Sequence, residues 1–199
     1  MMSFRVALVL ALFAIPCVAA NAKDEPYYGF FPSSLGPTFK QVRHTLLGFS
    51  IDVPSRWNFG VNSKGGFPVA VFYPEGSDQS QLSPAYQSIE VSTVPFTSVS
   101  LREVHRHVLV GLKNAHPGLK ELEAPTELKL RRANAIQFLV SWRSKSGVDI
   151  VEWITLVAHR DGVRSVAVRG SNDLFVKERA LYRTIVSTFE AFEPKLPLR

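Results

Sequence analysis

The histidines come first among side chains that could do chemistry, because imidazoles are the natural metal ligands in a chain with five histidines and one cysteine. His105 and His107 fall two apart in a segment with helical periodicity, so they point about 200° away from each other and cannot chelate one ion. His44, His116 and His159 stand singly in unrelated segments. No metal site and no cofactor is expected. A serine hydrolase would carry a G-x-S-x-G elbow, and no such motif occurs. Gly65-Gly66 lacks the Lys-Ser/Thr that completes a phosphate-binding loop. Cys17 lies inside the apolar stretch at the start of the chain, where it could carry a lipid anchor, although Pro16 before it argues against lipidation.

Glu152 is the anomalous residue, a carboxylate between Ile150 and Ile154 on an apolar strand face. Desolvation there would raise its pKa and suit it to general acid or base work, the basis of a hydrolase reading. A salt bridge is the favoured account: Arg169 opposes Ile154 on the neighbouring strand and sits diagonal to Glu152. Two groups could recognise a partner. Trp57 follows Arg56 in a loop after a short strand and either faces a partner or plugs the open end of the sheet. Tyr27, Tyr28, Phe30 and Phe31 either dock another protein or fold back over the domain's own apolar surface.

These residues need elements to position them, and the chain divides readily. Residues 1–22 have the order of a cleavable secretory signal: Arg5, an apolar run from Val6 to Ile15, then small residues ending at Ala22. A helix from Val6 to Ala20 would rise only about 22 Å against a hydrocarbon layer of about 30 Å, so a membrane span is not expected. Cleavage after Ala22 would remove the only thiol and place the protein outside the cytosol, as a periplasmic or extracellular protein. Residues 23–42 hold Pro26, Pro32, Pro37, Gly29 and Gly36 and read as a strap without a regular helix or an interior strand. Residues 43–192 read as one domain, with 193–199 as a tail.

Within the domain, Phe49 to Val53, Phe67 to Tyr73 and Gln87 to Val94 read as strands. Ser100 and Glu103 form a capping box ahead of Leu101, Val104, Val108 and Leu112 at helical spacing. A second helix is predicted from Asp173 to Phe192. Between them lies a meander of Asn134 to Ser144, Val148 to Arg160 and Val163 to Gly170. Lys145-Ser146-Gly147 would pair Arg143 with Asp149, and a turn at Asp161-Gly162 would pair Arg160 with Val163. Alternation puts Ile136, Phe138, Val140, Trp142, Ile150, Ile154, Leu156 and Ala167 on one face. Leu139, Val151, Trp153, Val157, Val166 and Val168 share the other. Both faces are apolar, so both are covered. The predicted class is α+β, a mainly antiparallel central sheet layered with two principal helices.

The segment from Gly48 to Asn58, GFSIDVPSRWN, is similar to the opening of PsbP-like domains, and the order of elements from Arg43 to Phe192 also resembles that family. The resemblance implies an α/β/α sandwich shared with PsbP, the Ran-binding Mog proteins and DcrB-like bacterial envelope proteins, which mostly bind or assemble other proteins. It carries over no functional residue, and the secretory signal argues against a Ran-type role. The expected function is thus a non-catalytic exported protein that binds a protein partner. The alternatives are a small-molecule or lipid-binding module, with an apolar cavity beneath the Ser100 helix, and a hydrolase centred on Glu152. The net charge of +6, which falls to +5 without Arg5, includes a cluster of Lys129, Arg131 and Arg132. That mild excess suits an anionic envelope surface better than nucleic acid.

Overall fold

Long strands rich in Val, Ile and aromatic residues dominate the fold. A computed structural model describes residues 28–64, 67–77, 87–94 and 100–194; the leader at 1–22 and Tyr27 lie outside them. In chain order the elements are β1 (Tyr28–Pro32), β2 (Phe39–His44), β3 (Phe49–Pro54), β4 (Trp57–Lys64), β5 (Phe67–Pro74), β6 (Gln87–Val94), α1 (Leu101–Ala115), β7 (Lys120–Leu130), β8 (Ala133–Arg143), β9 (Asp149–His159), β10 (Gly162–Ser171), α2 (Asn172–Ser187) and β11 (Glu190–Ala191). Two sheets result, one of four strands ordered β1-β2-β3-β11 and one of seven ordered β4-β5-β6-β10-β9-β8-β7.

The two apolar faces of the meander define the layers. Ile136, Phe138, Val140, Trp142, Ile150, Ile154 and Leu156 pack with Val104, Val108 and Leu112 of α1. On the other face Leu139, Val151, Trp153, Val157, Val166 and Val168 meet Phe49, Ile51 and Val53 of the small sheet and Phe175, Tyr182 and Ile185 of α2. The large sheet is thus a central slab, with α1 on one side and α2 plus the small sheet on the other. The capping box at Ser100 is formed, Glu103 N–H donating to Ser100 Oγ at 3.3 Å and Ser100 N–H to Glu103 Oε2 at 2.9 Å.

Four features differ from the reading of the sequence. The strap contributes two strands, with Tyr28 opposite His44 and Pro32 opposite Lys40. β1 tolerates its proline because it is an edge strand, whereas the proline-free β2 is interior, between β1 and β3. Second, β4 and β7 are strands that were not foreseen; β7 is an exposed edge strand interrupted by Pro125. Third, the β9–β10 turn is Arg160-Asp161, with Gly162 opposite His159, so the register slips by two residues from the expected one. A slip of two leaves every residue on its own face, and the layers are unaffected. Fourth, α2 stops at Ser187, before Phe192. Thr188 ends it by donating from Oγ1 to the Ile185 carbonyl at 2.7 Å and accepting the Asp52 N–H at 2.9 Å, which frees Glu190–Ala191 to pair with β3.

Candidate interaction surface

β1 reads YGFFP and has no charged residue. Among the described residues its only sheet partner is β2. Edge strands are normally protected by lysines, bulges or short length, because their unpaired N–H and C=O groups template further pairing. Here the edge instead carries exposed aromatic rings: Tyr28 is 39% exposed, Phe30 52% and Phe31 48%. Tyr28 and Phe30 rest edge-on against Phe59 of β4, at 4.7 and 6.3 Å between centroids. Phe59 touches the buried Phe72 at 5.1 Å, and Phe72, Phe49 and Phe189 continue the contact into the core. Lys40 caps the outer end, its ammonium 5.1 Å above the Phe30 ring and donating to the Trp57 carbonyl at 2.6 Å. Tyr28 and Phe30 are therefore seated on a ring column, while Phe31 points from the opposite face of β1.

His44 lies beneath this surface, 2% exposed, its ring 5.7 Å from Phe49 and 6.3 Å from Tyr28. Nδ1 accepts the Leu47 N–H at 3.2 Å, so it must be unprotonated there. Burial pushes the imidazole pKa below its ordinary 6.5, with a backbone hydrogen bond partly opposing. Between the lowered folded value and 6.5 the unfolded chain binds more protons, so this contribution to stability is full above 6.5 and is lost as pH falls through that window. Urea unfolding is expected to show stability declining below pH 6.5, with a shallower slope in His44→Asn, whose Oδ1 can accept the same N–H. Identical slopes in the two proteins would refute the assignment.

Of the expected recognition pair, only Arg56 faces solvent. Trp57 is corrected to a core residue: it begins β4, is 7% exposed and packs with Val42, Val53 and Phe72 in the same cluster.

Glu152 and Arg169 are brought together more directly than their expected diagonal placement, because the slipped register puts them opposite each other. Arg169 Nη2 donates to Glu152 Oε1 at 2.6 Å and Nη1 to Glu90 Oε1 at 3.0 Å. The guanidinium lies 5.7 Å from Trp142, which stacks on His116 at 4.2 Å. Glu152 is 2% exposed, and its Oε2 has no hydrogen-bond partner among the described residues.

Sequence reasoning missed Glu90 and, above all, Arg164, which is 0% exposed. Arg164 Nε donates to the Leu47 carbonyl and Nη2 to Asp161 Oδ2, both at 2.8 Å. Asp161 is also bonded by His159. Burial works against its ionisation, yet the bonds from Arg164 and His159 and their charge hold its pKa below the ordinary 3.8. A signal existed, since Arg164 shares a face with Val166 and Val168, the same kind of anomaly that marked Glu152.

An open cleft of about 670 Å³ lies at the N-terminal end of α1, bordered by Leu101, Ile136 and Val163 but also by Arg102, Glu127 and Lys129. Arg102 and Glu127 pair across it at 2.7 Å. The apolar stripe of α1 packs on the sheet, Val104 being 0% exposed. Among the described residues no three His, Cys, Asp or Glu side chains gather to hold a metal, and no helix is long and apolar enough to cross a membrane.

The layering of this edge, slab and helices recurs in solved structures. Cyanobacterial PsbP from Synechocystis superposes with a TM-score of 0.58 over 88% of this chain and 98% of its own, at 11% identity. This chain has the PsbP-like fold. The PsbP-like fold is likewise found in the Ran-binding protein Mog1p of Saccharomyces cerevisiae, with a TM-score of 0.52 at 14% identity over 78% of this chain and 96% of that one. A Pseudomonas aeruginosa protein described as a putative regulator matches at 0.50, with 11% identity over 87% and 99%. By sequence, the chain matches no protein-family model and no curated protein.

Proposed function

We propose that this is a non-catalytic exported protein that binds a protein partner along the edge of β1. One observation carries the proposal: an uncharged edge strand that exposes Tyr28 and Phe30 above a ring column anchored in the core, and Phe31 on its other face. A partner's extended segment can add to such an edge, its backbone pairing with β1 and its side chains packing on the rings. Aromatic side chains bury about 150–250 Å² each and dominate interface energetics. The Ran-binding description of the yeast structure supports a protein-binding use of this fold. The buried Glu152–Arg169 pair supports the non-catalytic part.

Export rests on residues 1–22, with cleavage after Ala22 removing Cys17. The mature protein would then meet an anionic envelope surface with a charge of +5. Mass spectrometry of the mature N-terminus tests this reading, and a lipid-modified Cys17 would overturn it.

Deleting residues 23–42 is too blunt a test of docking, because it removes most of the interior strand β2. The double variant Phe30→Ser/Phe31→Ser alters two half-exposed rings. It is expected to stay folded at a cost of about 2 kcal/mol for the two half-buried rings and to weaken the partner at least about 30-fold, the loss of one hot spot of about 2 kcal/mol. Co-purification of the same partners by both proteins in equal yield would refute the β1 edge as the docking site.

A further inference from the structure

α2 and the β7–β8 edge enclose a second cleft, of about 300 Å³. Its wall includes Trp153, over whose ring stand two guanidiniums of α2, Arg179 at 5.7 Å and Arg183 at 5.8 Å from the centroid. The two arginines are one helical turn apart, a spacing at which like charges repel each other. One carboxylate meets them: Glu123 accepts from Arg179 Nη2 at 2.6 Å. Arg179 Nε is buried without a hydrogen-bond partner among the described residues. Arg183 forms no hydrogen bond or ion pair among them and offers its N–H groups at the rim, where it is exposed. The cleft therefore holds one more cation than anion.

The edge strand is shaped at the same place. Between Glu121 and Thr126 the pairing of β7 with β8 shifts twice, Glu123 falling opposite Leu139 and Thr126 opposite Gln137. Bulges of this kind bend a strand and re-aim its side chains, and they recur beside functional sites. Here both shifts flank the cleft, which Glu123, Thr126 and Gln137 line. A guanidinium over an aromatic face is attracted by the ring, and its planar N–H fork suits bidentate contact with an oxyanion.

We infer that this cleft is an oxyanion-binding site in which Arg183 and Arg179, both within 6 Å of the Trp153 ring, receive a carboxylate or phosphate group. It is separate from the β1 surface and does not depend on it. The mature protein is titrated at constant ionic strength with inorganic phosphate and, in a second arm, with N-acetylglutamate. Tryptophan emission and the arginine Nε–Hε resonances are followed. Saturable shifts of the Arg179 and Arg183 resonances are expected in at least one arm, and the responding arm identifies phosphate or carboxylate as the preferred group. Arg183→Gln should weaken that binding at least tenfold, while Arg106→Gln, an exposed arginine of α1 with the same change in net charge, should leave it within twofold. Non-saturable shifts in both arms, or equal weakening by the two variants, would overturn the site. Because Arg183 is exposed, the variant is expected to fold, and its unfolding midpoint verifies this.

Discussion

Arg164→Ala is expected to destabilise the protein by about 4 kcal/mol, in the range found when one partner of a buried ion pair is removed. The guanidinium is 0% exposed on an otherwise apolar face of β10 and spans two turns of the chain. Its Nε bond holds the Leu47 carbonyl in the β2–β3 turn, and its Nη2 bond holds Asp161 in the β9–β10 turn. Truncation leaves that carbonyl without its donor, at about 1–3 kcal/mol, and opens a cavity the size of a long side chain. Asp161 can rehydrate in part, since its side chain is 30% exposed, which limits the electrostatic share of the loss. Nη1 has no partner among the described residues, so the native arrangement already carries a desolvation cost. Arg164→Met, which fills the space without the charge, should therefore lose only about half as much. Urea midpoints at unchanged m-value measure both effects. A loss below about 1 kcal/mol in Arg164→Ala would show that the two turns hold without this tie.

Gly48→Ala should cost about 3 kcal/mol or more for a single added methyl group. Gly48 sits at φ +65°, where an L side chain is disfavoured by about 1–2 kcal/mol. Its new Cβ would lie 2.3 Å from the Phe192 carbonyl oxygen and 3.0 Å from Arg164 Nη2. Backbone is what stands in the way, so relief means moving the C-terminal segment and losing the Phe192 N–H bond to the Gly48 carbonyl, now 2.8 Å. Gly36 supplies the comparison: its φ is +98°, and a Cβ there meets nothing within 4 Å. Gly36→Ala should show the conformational penalty alone, about 1–2 kcal/mol. Equal losses at the two positions would mean that the packing of the C-terminal segment on Gly48 contributes nothing.

Much of this fold could be read from residue order, and the exceptions share physical causes. The two-faced meander was legible because Ile136 to Trp142 and Ile150 to Val157 carry apolar residues on both alternating faces, interrupted only by Gln137, Ser141, Glu152 and Thr155, a pattern that marks a sheet covered on both sides. The capping box at Ser100 and the turn before Val148 were legible because their chemistry is local. The β9–β10 register was not, since registers two residues apart present identical faces and only the turn geometry, with Gly162 at φ +139°, separates them. β1, β4 and β7 were hidden because edge strands carry prolines and polar residues that read as loop. The end of α2 was hidden because Thr188 stops it through bonds to the helix and to β3, without glycine or proline. Of the interaction surface, its aromatic composition was visible in the sequence. Its placement over Phe59 and His44 depends on β1 pairing with β2, a contact no local signal encodes. Arg164 and Glu90 escaped notice because charged residues are ordinarily solvated, and only their strand neighbours mark them as buried or paired.

Photo-cross-linking in the native host measures partner contact at the β1 edge most directly. A photoreactive phenylalanine analogue replaces Phe31, and in a second strain it replaces Val110, an apolar residue on α1 that is somewhat more exposed, at 58% against 48%. Docking on β1 predicts a discrete protein adduct from position 31 and none from position 110. Adducts of equal yield from both positions, or none from position 31, would contradict it.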